Sequence, residues 1–265
     1  MLNKLKEIIN SIRPKNTIKA LSECSKVTPK EYWLRFFGTF ILVFIGATLL
    51  YVNIIFALFI ALLVTLVSNN IILIYRNKKL YQQHIQSQLN LYLNLMAQLL
   101  STDKNLLQSL KSVVISLDSP IREDLELLIF EFEHSGNPNK ALDDFSKKYS
   151  HDMYLKMFHD QLKLYYREGG NAKILNEIVE EHSNYMIAVD QYTRRKGYYR
   201  QYIYFFSMFI LFVPAIFLFT QRDMYNLFSL SVFGHITNSI IICAILRTIV
   251  ETEKDYLNDT LIDFN

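Results

Sequence analysis

Charge is missing from three stretches of this 265-residue chain. Phe36 to Tyr75 is a run of 40 residues without Asp, Glu, Lys or Arg; Gln201 to Gln221 is a second run, and Met224 to Leu246 a third. A bilayer-spanning helix needs roughly 20 mainly apolar residues. The first run therefore predicts two spans back to back, and the C-terminal pair predicts two more. Cysteine is also scarce. Cys24 falls in a polar tail and Cys243 inside the last apolar run, so no disulfide is expected. There are seven glycines, none followed by Lys-Ser or Lys-Thr, and no GxGxxG. That excludes the glycine loops that cradle nucleotide phosphates, and nucleotide hydrolysis by this chain is not expected.

The six histidines, His84, His134, His151, His159, His182 and His235, show neither HExxH nor paired-cysteine spacing, so no metal or cofactor is expected. His151-Asp152 and His159-Asp160 repeat eight residues apart and read as a solvated polar face. No serine sits in a GxSxG elbow. Together these absences predict a protein that is not an enzyme. A net charge of only +3 gives no pull on nucleic acid.

The charge that is present is placed locally. Arg35 precedes the first run and Arg76, Lys78 and Lys79 follow it; Arg194, Arg195, Lys196 and Arg200 precede the second run and Arg247 follows the third. Lys and Arg mark the cytoplasmic side of spans. This predicts a multi-pass membrane protein with both termini and the middle segment in the cytoplasm. The expected divisions are a tail at 1–33, a hairpin of two spans at 34–75, a helical domain at 76–200, a second hairpin at 201–246 and a tail at 247–265. The polar N-terminus, with no apolar core and small-residue site, predicts no cleaved signal peptide. Leu2, Leu5, Ile8, Ile9 and Ile12 recur at helical spacing, the pattern of a short amphipathic helix on lipid or on a partner. Tyr32-Trp33, Tyr75, Tyr81, Tyr198-Tyr199, Tyr202 and Tyr204 fall at the expected interfaces, where amphipathic rings sit well. Within the spans, His235 and Asn238 are the polar exceptions and read as interhelical hydrogen-bonding groups; Pro214 reads as a kink.

The middle segment is helical by periodicity throughout. Ile85, Leu89, Tyr92, Leu93, Met96, Leu99 and Leu100 mark one buried face, Leu106, Leu107, Leu110, Val113, Val114 and Leu117 a second, and Ile174, Leu175, Ile178, Val179, His182, Tyr185, Met186 and Val189 a later one. Ser119-Pro120 and Asn137-Pro138 are start signals, and Gly136 and Gly169-Gly170 are stops. The fold expected is an all-α membrane protein: two hairpins of spans flanking a cytoplasmic bundle of about six helices. With no breaker but Gly197, the sixth helix is expected to run on into the third span or to bend near Gly197, and the second span to run into the first bundle helix.

Three turns carry a family look. The segment Leu99 to Leu110 resembles the opening helix-turn-helix of the type II secretion F domain, with Asp103-Lys104 where that family often has glycine. Ser135-Gly136-Asn137-Pro138-Asn139-Lys140-Ala141-Leu142 is similar to its mid-domain turn. Tyr166 to Ile178, with Glu168-Gly169-Gly170-Asn171, is similar to its acidic-Gly-Gly turn and following helix. The two-plus-two arrangement around one such domain resembles the TadB/TadC-like platform proteins of the tight-adherence pilus. The resemblance implies an inner-membrane platform that couples a cytoplasmic assembly ATPase to pilin-like subunits, beside a sister platform protein or a second copy of itself. On that reading Glu168, Gly169, Gly170 and Asn171 are a structural turn. Lys104, Asp143, Asp144, Lys147 and Lys148 are candidates for partner contact. The rival reading is a small transporter or channel subunit; the lack of carboxylates within the spans counts against it.

Overall fold

A computed structural model describes residues 29–51, 53–102, 105–134, 138–169 and 172–258. Every regular element among them is helical: α1 (Pro29–Leu50), α2 (Ile54–Val67), a π-helical turn (Ser68–Ile72), α3 (Leu73–Ser101), α4 (Leu106–Val114), α5 (Ile121–His134), α6 (Pro138–Lys148), α7 (Met153–Glu168), α8 (Ala172–Thr220), α9 (Arg222–Leu230) and α10 (Val232–Asn258). The chain forms two compact units. One contains 29–81 and 193–258, and the other 82–192. The amphipathic pattern at 2–12 lies outside the described residues.

In the second unit, local chemistry sets the helix ends. Asn105 caps α4 by accepting from Leu107 N at 3.2 Å, and Asp152 caps α7 by accepting from Leu155 N at 3.1 Å. Gly169 closes α7 in the left-handed region, with φ 65°, its N–H donating to Tyr165 O at 3.1 Å. A side chain there would add the steric cost that makes glycine the usual choice. The Ser119–Pro120 peptide is cis, and α5 begins one residue later than the start signal predicts. The apolar stripes of all six helical segments converge on one core that includes Leu93, Leu100, Leu110, Leu125, Leu142, Phe158 and Leu175.

That core holds a polar group the sequence reading misplaced. His159 does not face solvent: it is fully buried. Its Nδ1 lies 3.0 Å from Leu142 O and its Nε2 2.9 Å from the Tyr92 hydroxyl. A carbonyl only accepts, so Nδ1 carries the proton and Nε2 accepts from Tyr92. Of the expected polar face, His151 and Asp160 are exposed, and Asp160 accepts from Lys163 Nζ at 2.8 Å.

The first unit departs from the expected boundaries at both ends. α1 begins at Pro29, inside the expected tail; a helix start tolerates proline because the missing N–H has no intrahelical acceptor there. The last helix continues past Leu246 to Asn258, so most of the expected tail is helix. The third charge-free run is also not one helix. Ser231 is extended, with φ −74° and ψ 150°, and divides α9 from α10. Its hydroxyl accepts from Gly234 N at 3.0 Å and donates to Phe228 O at 2.7 Å, holding a tight corner. Tyr51 and Asn53 form the first hairpin's turn, and Asn53 Oδ1 caps α2 by accepting from Ile55 N at 3.0 Å. Both α3 and α8 are continuous through the positions expected to join span to bundle; α8 is 49 residues long and helical through Gly197 and Pro214.

Among the described residues two stretches, Ile54–Ser101 and Val232–Tyr256, are long and apolar enough to cross a membrane, where four spans were expected. The reasons are local. Lys30, Glu31 and Arg35 occupy the first turns of α1, and the Asn53 cap leaves α1 only 36–50 as charge-free helix. The last run does supply a span: it starts after the Ser231 break, and α10 carries it past Leu246.

Two outcomes follow. Burial pulls His159 down to about 4, below its unfolded value of about 6.5. As pH falls, the unfolded chain takes up the proton first, so stability is full above 6.5 and is lost between 6.5 and 4. The loss is about 3 kcal/mol. Urea denaturation followed by far-UV circular dichroism at stepped pH should show it, and His159→Gln should flatten the slope. Separately, a Cβ on Gly234 would lie 1.9 Å from the Phe228 carbonyl oxygen, which a flexible side chain cannot relieve. Gly234→Ala should lower stability by about 2 kcal/mol or more, read as a drop in thermal midpoint in detergent.

Candidate functional site

In the first unit, three helices are tied at one carboxylate. Glu253 of α10 is almost wholly buried, at 1% exposure. Its Oε1 lies 3.2 Å from Arg200 Nε on α8 and 3.6 Å from Arg76 Nη2 on α3. It also accepts from the Tyr204 hydroxyl. One turn on, the Tyr256 ring carries the Lys79 ammonium 3.0 Å from its centroid and the Arg200 guanidinium at 4.8 Å. Lys79 Nζ also donates to Tyr256 O at 3.4 Å. Glu253 and Tyr256 are three residues apart, so they share a helix face, and that face meets the basic residues flanking the apolar runs. Gly197 lies at the same place: a Cβ there would sit 3.9 Å from the Tyr256 hydroxyl, an ordinary contact. A buried carboxylate is tolerated only when it is paired and hydrogen-bonded, and Glu253 has both. The sequence reading took Arg76 and Arg200 as free interface markers and missed Glu253. Its signal is an acidic side chain at i−3 from a tyrosine beyond the last apolar run, and its partners lie far away in the chain.

A second polar group gathers near the turn of the first hairpin. Asn53 Oδ1 is occupied by the α2 cap, which turns its Nδ2 toward His235 Nε2 at 3.4 Å. The Phe56 and His235 rings are 4.8 Å apart. His235 and Asn238 share a face of α10, and Asn238 is buried. His235 Nδ1 and Asn238 Nδ2 are buried without a hydrogen-bond partner in the described chain. His235 thus does make the interhelical contact expected of it, with α2's cap; Asn238 makes none.

The remaining predicted residues lie in the second unit, and α6 carries four. Asp143 is bridged by Lys163 of α7, and Lys148 pairs with Asp124 of α5, which also accepts from the Tyr149 hydroxyl. Asp144 and Lys147 pair with each other at 3.2 Å on the exposed face. Asp143 and Lys148 therefore brace α6 against its neighbours. Asp144 and Lys147 are the more available pair, because their partner is one turn away on the same helix. Glu168 is exposed at the end of α7, ahead of the Gly169 turn. Lys104, Gly170 and Asn171 lie outside the described residues. Asp152 caps α7 and also lies 3.6 Å from His182 Nε2. Burial lowers the His182 pKa while Asp152 opposes that shift.

Among the described residues no three His, Cys, Asp or Glu side chains are grouped to hold a metal ion. Cys243 is a free, exposed thiol on α10, and Cys24 lies outside the described residues. No protein family, curated protein or solved structure matches the chain.

Removing one member of a buried ion pair typically costs about 3–5 kcal/mol, because the partner charge is left behind. Glu253→Ala should therefore destabilise the first unit by about 3 kcal/mol. Arg76→Ala should cost far less, since Arg76 is half exposed and water screens its pairing. Thermal unfolding of the two variants in detergent gives the order; equal effects would mean that Glu253 is not the hub.

Proposed function

We propose that this chain is a multi-pass platform protein of the bacterial cytoplasmic membrane, serving a type IV filament or type II-like secretion assembly. In this reading the two apolar helical hairpins hold it in the bilayer. The helical bundle lies in the cytoplasm and receives work from an assembly ATPase. Pilin-like subunits and a sister platform protein, or a second copy, meet the spans. The chain itself performs no catalysis.

The observation that carries the membrane part is exposure. The apolar windows of the two long helices are only 33% and 22% buried within the chain. A core helix of a soluble protein would be mostly enclosed. Phe206, Phe219, Val232 and Phe233 stand exposed along α8 and α10, as do Leu42 and Ile55 along α1 and α2. Such a continuous apolar surface calls for lipid or another apolar partner. The platform part is supported by the insertion of one helical bundle between two hairpins. It is also supported by the left-handed Gly169 turn, which stands where the family resemblance requires a glycine turn. The Asp144–Lys147 face of α6 is the proposed ATPase contact.

Affinity capture of the tagged full chain from detergent-solubilised membranes, in a host encoding a P-loop secretion ATPase and pilin-like proteins, tests this. Both should co-purify, and Asp144→Lys with Lys147→Glu should reduce recovery of the ATPase severalfold. Capture of neither partner would overturn the platform reading.

A further inference from the structure

The α1–α2 hairpin brings the two ends of the 40-residue charge-free run together. Arg35 is the last charged residue before that run and Arg76 the first after it. Both line one groove of about 460 Å³, together with Leu34, Gly38, Ile72 and Leu73. That volume lies within the range of small-ligand clefts, roughly 300–1,000 Å³. None of the residues lining the groove is acidic.

The groove exists because of two local features. One wall is the π-helical turn Ser68–Ile72, whose wider winding turns Asn69 and Asn70 into the protein. Asn69 Nδ2 donates to Thr39 Oγ1 at 2.8 Å, and Asn70 Oδ1 accepts from the Tyr32 hydroxyl. These bonds pin α1 to the π turn along one side. The other feature is Gly38: a Cβ built there meets nothing within 4 Å, so the helix surface is cut back and the space stays open. Single π turns inside helices often occur at functional sites.

We propose that this groove binds an anionic phospholipid of the cytoplasmic leaflet. Its phosphate sits between Arg35 and Arg76, and an acyl chain lies along Leu34, Gly38 and Ile72. The chemistry is complementary at both ends. Two guanidiniums at headgroup level suit a phosphate, for which Arg has the matching fork of donors. The apolar part of the lining suits a chain; Thr39, Ser68 and Asn69 also line the groove, and Asn69 is already bonded to Thr39. Arg76 is shared with Glu253 at 3.6 Å, but that carboxylate is met more closely by Arg200 and by Tyr204. With half its surface open, Arg76 remains able to reach a phosphate. The proposal rests on the membrane part of the reading above and not on any pilus or ATPase partner.

The test uses the full chain in detergent micelles doped with phosphatidylglycerol, phosphatidylcholine or glycerol phosphate alone. Native mass spectrometry reads bound lipid, and thermal unfolding reads stabilisation. Phosphatidylglycerol should be retained in preference to phosphatidylcholine, and glycerol phosphate should bind negligibly. Arg35→Gln and Arg76→Gln should each weaken retention about fivefold. Gly38→Leu should reduce retention by filling the groove, in a protein with unchanged helicity by circular dichroism. Equal retention of the two lipids, or unchanged retention in both arginine variants, overturns the proposal. So does stabilisation by glycerol phosphate matching that by the lipid, which would make this a phosphate site. Membrane fractionation separates the two levels of failure. A chain that stays in carbonate-washed membranes but shows no lipid preference contradicts the groove proposal alone. A chain released to the aqueous fraction contradicts the membrane reading beneath it.

Discussion

The first unit presents apolar side chains on its outside, and every other feature of that unit answers to this. In water, exposed surface of this kind drives association, and stable soluble monomers rarely carry large continuous patches of it. In a bilayer it costs nothing, while any polar group at the same depth becomes expensive. Several polar residues of the first unit follow that rule, although His235 Nδ1 and Asn238 Nδ2 are buried without a partner in the described chain. Asn69 and Asn70 are turned inward against Thr39 and Tyr32, and His235 meets the Asn53 cap. With lipid as the surrounding solvent, burial of apolar surface no longer drives these helices together. Close contacts and hydrogen bonds between them carry more of the load.

The charged residues mark the limits of that environment and also hold its ends. On the proposed topology Arg76 and Arg200 stand at the cytoplasmic interface, and both converge on the buried Glu253. Lys79 lies on the Tyr256 ring one turn away. One short segment of α10 thereby ties together helices that are distant in sequence. The second unit is ordered differently. Its helices share one apolar core, in which His159 is held neutral between Leu142 O and Tyr92, while the Ser109 hydroxyl is buried without a hydrogen-bond partner in the described chain.

The bundle was readable because its signals are local. Each helix has its own apolar stripe, so α6 begins at the Asn137-Pro138 signal and α7 ends at Gly169, as their local patterns place them. The turn of the first hairpin was not fixed by sequence, because one Asn53 in an apolar run of 40 residues is a weak local cue. The Ser231 break was not, because its cue is a serine hydroxyl bonding to Gly234 N inside a segment with no charge to show a boundary. His159 was misread because Asp160 beside it faces water. Its own spacing, four residues after Leu155 and three before Leu162, pointed to the core. Glu253 escaped because its meaning depends on Arg76 and Arg200, which no local pattern connects to it. The groove between Arg35 and Arg76 depends likewise on a hairpin closing and on a π turn that periodicity does not reveal.

The account stands on membrane insertion with the bundle on one side and the α9 corner on the other. Single cysteines at Lys147→Cys and at Asp223→Cys, each in a chain whose Cys24 and Cys243 are serine, test it directly. Intact cells with a permeabilised outer envelope are treated with a membrane-impermeant maleimide. The account predicts labelling at position 223 in intact cells and at position 147 only after the inner membrane is broken, in a protein that resists carbonate extraction. Labelling of both positions without lysis, or recovery of the chain in the soluble fraction, would contradict it.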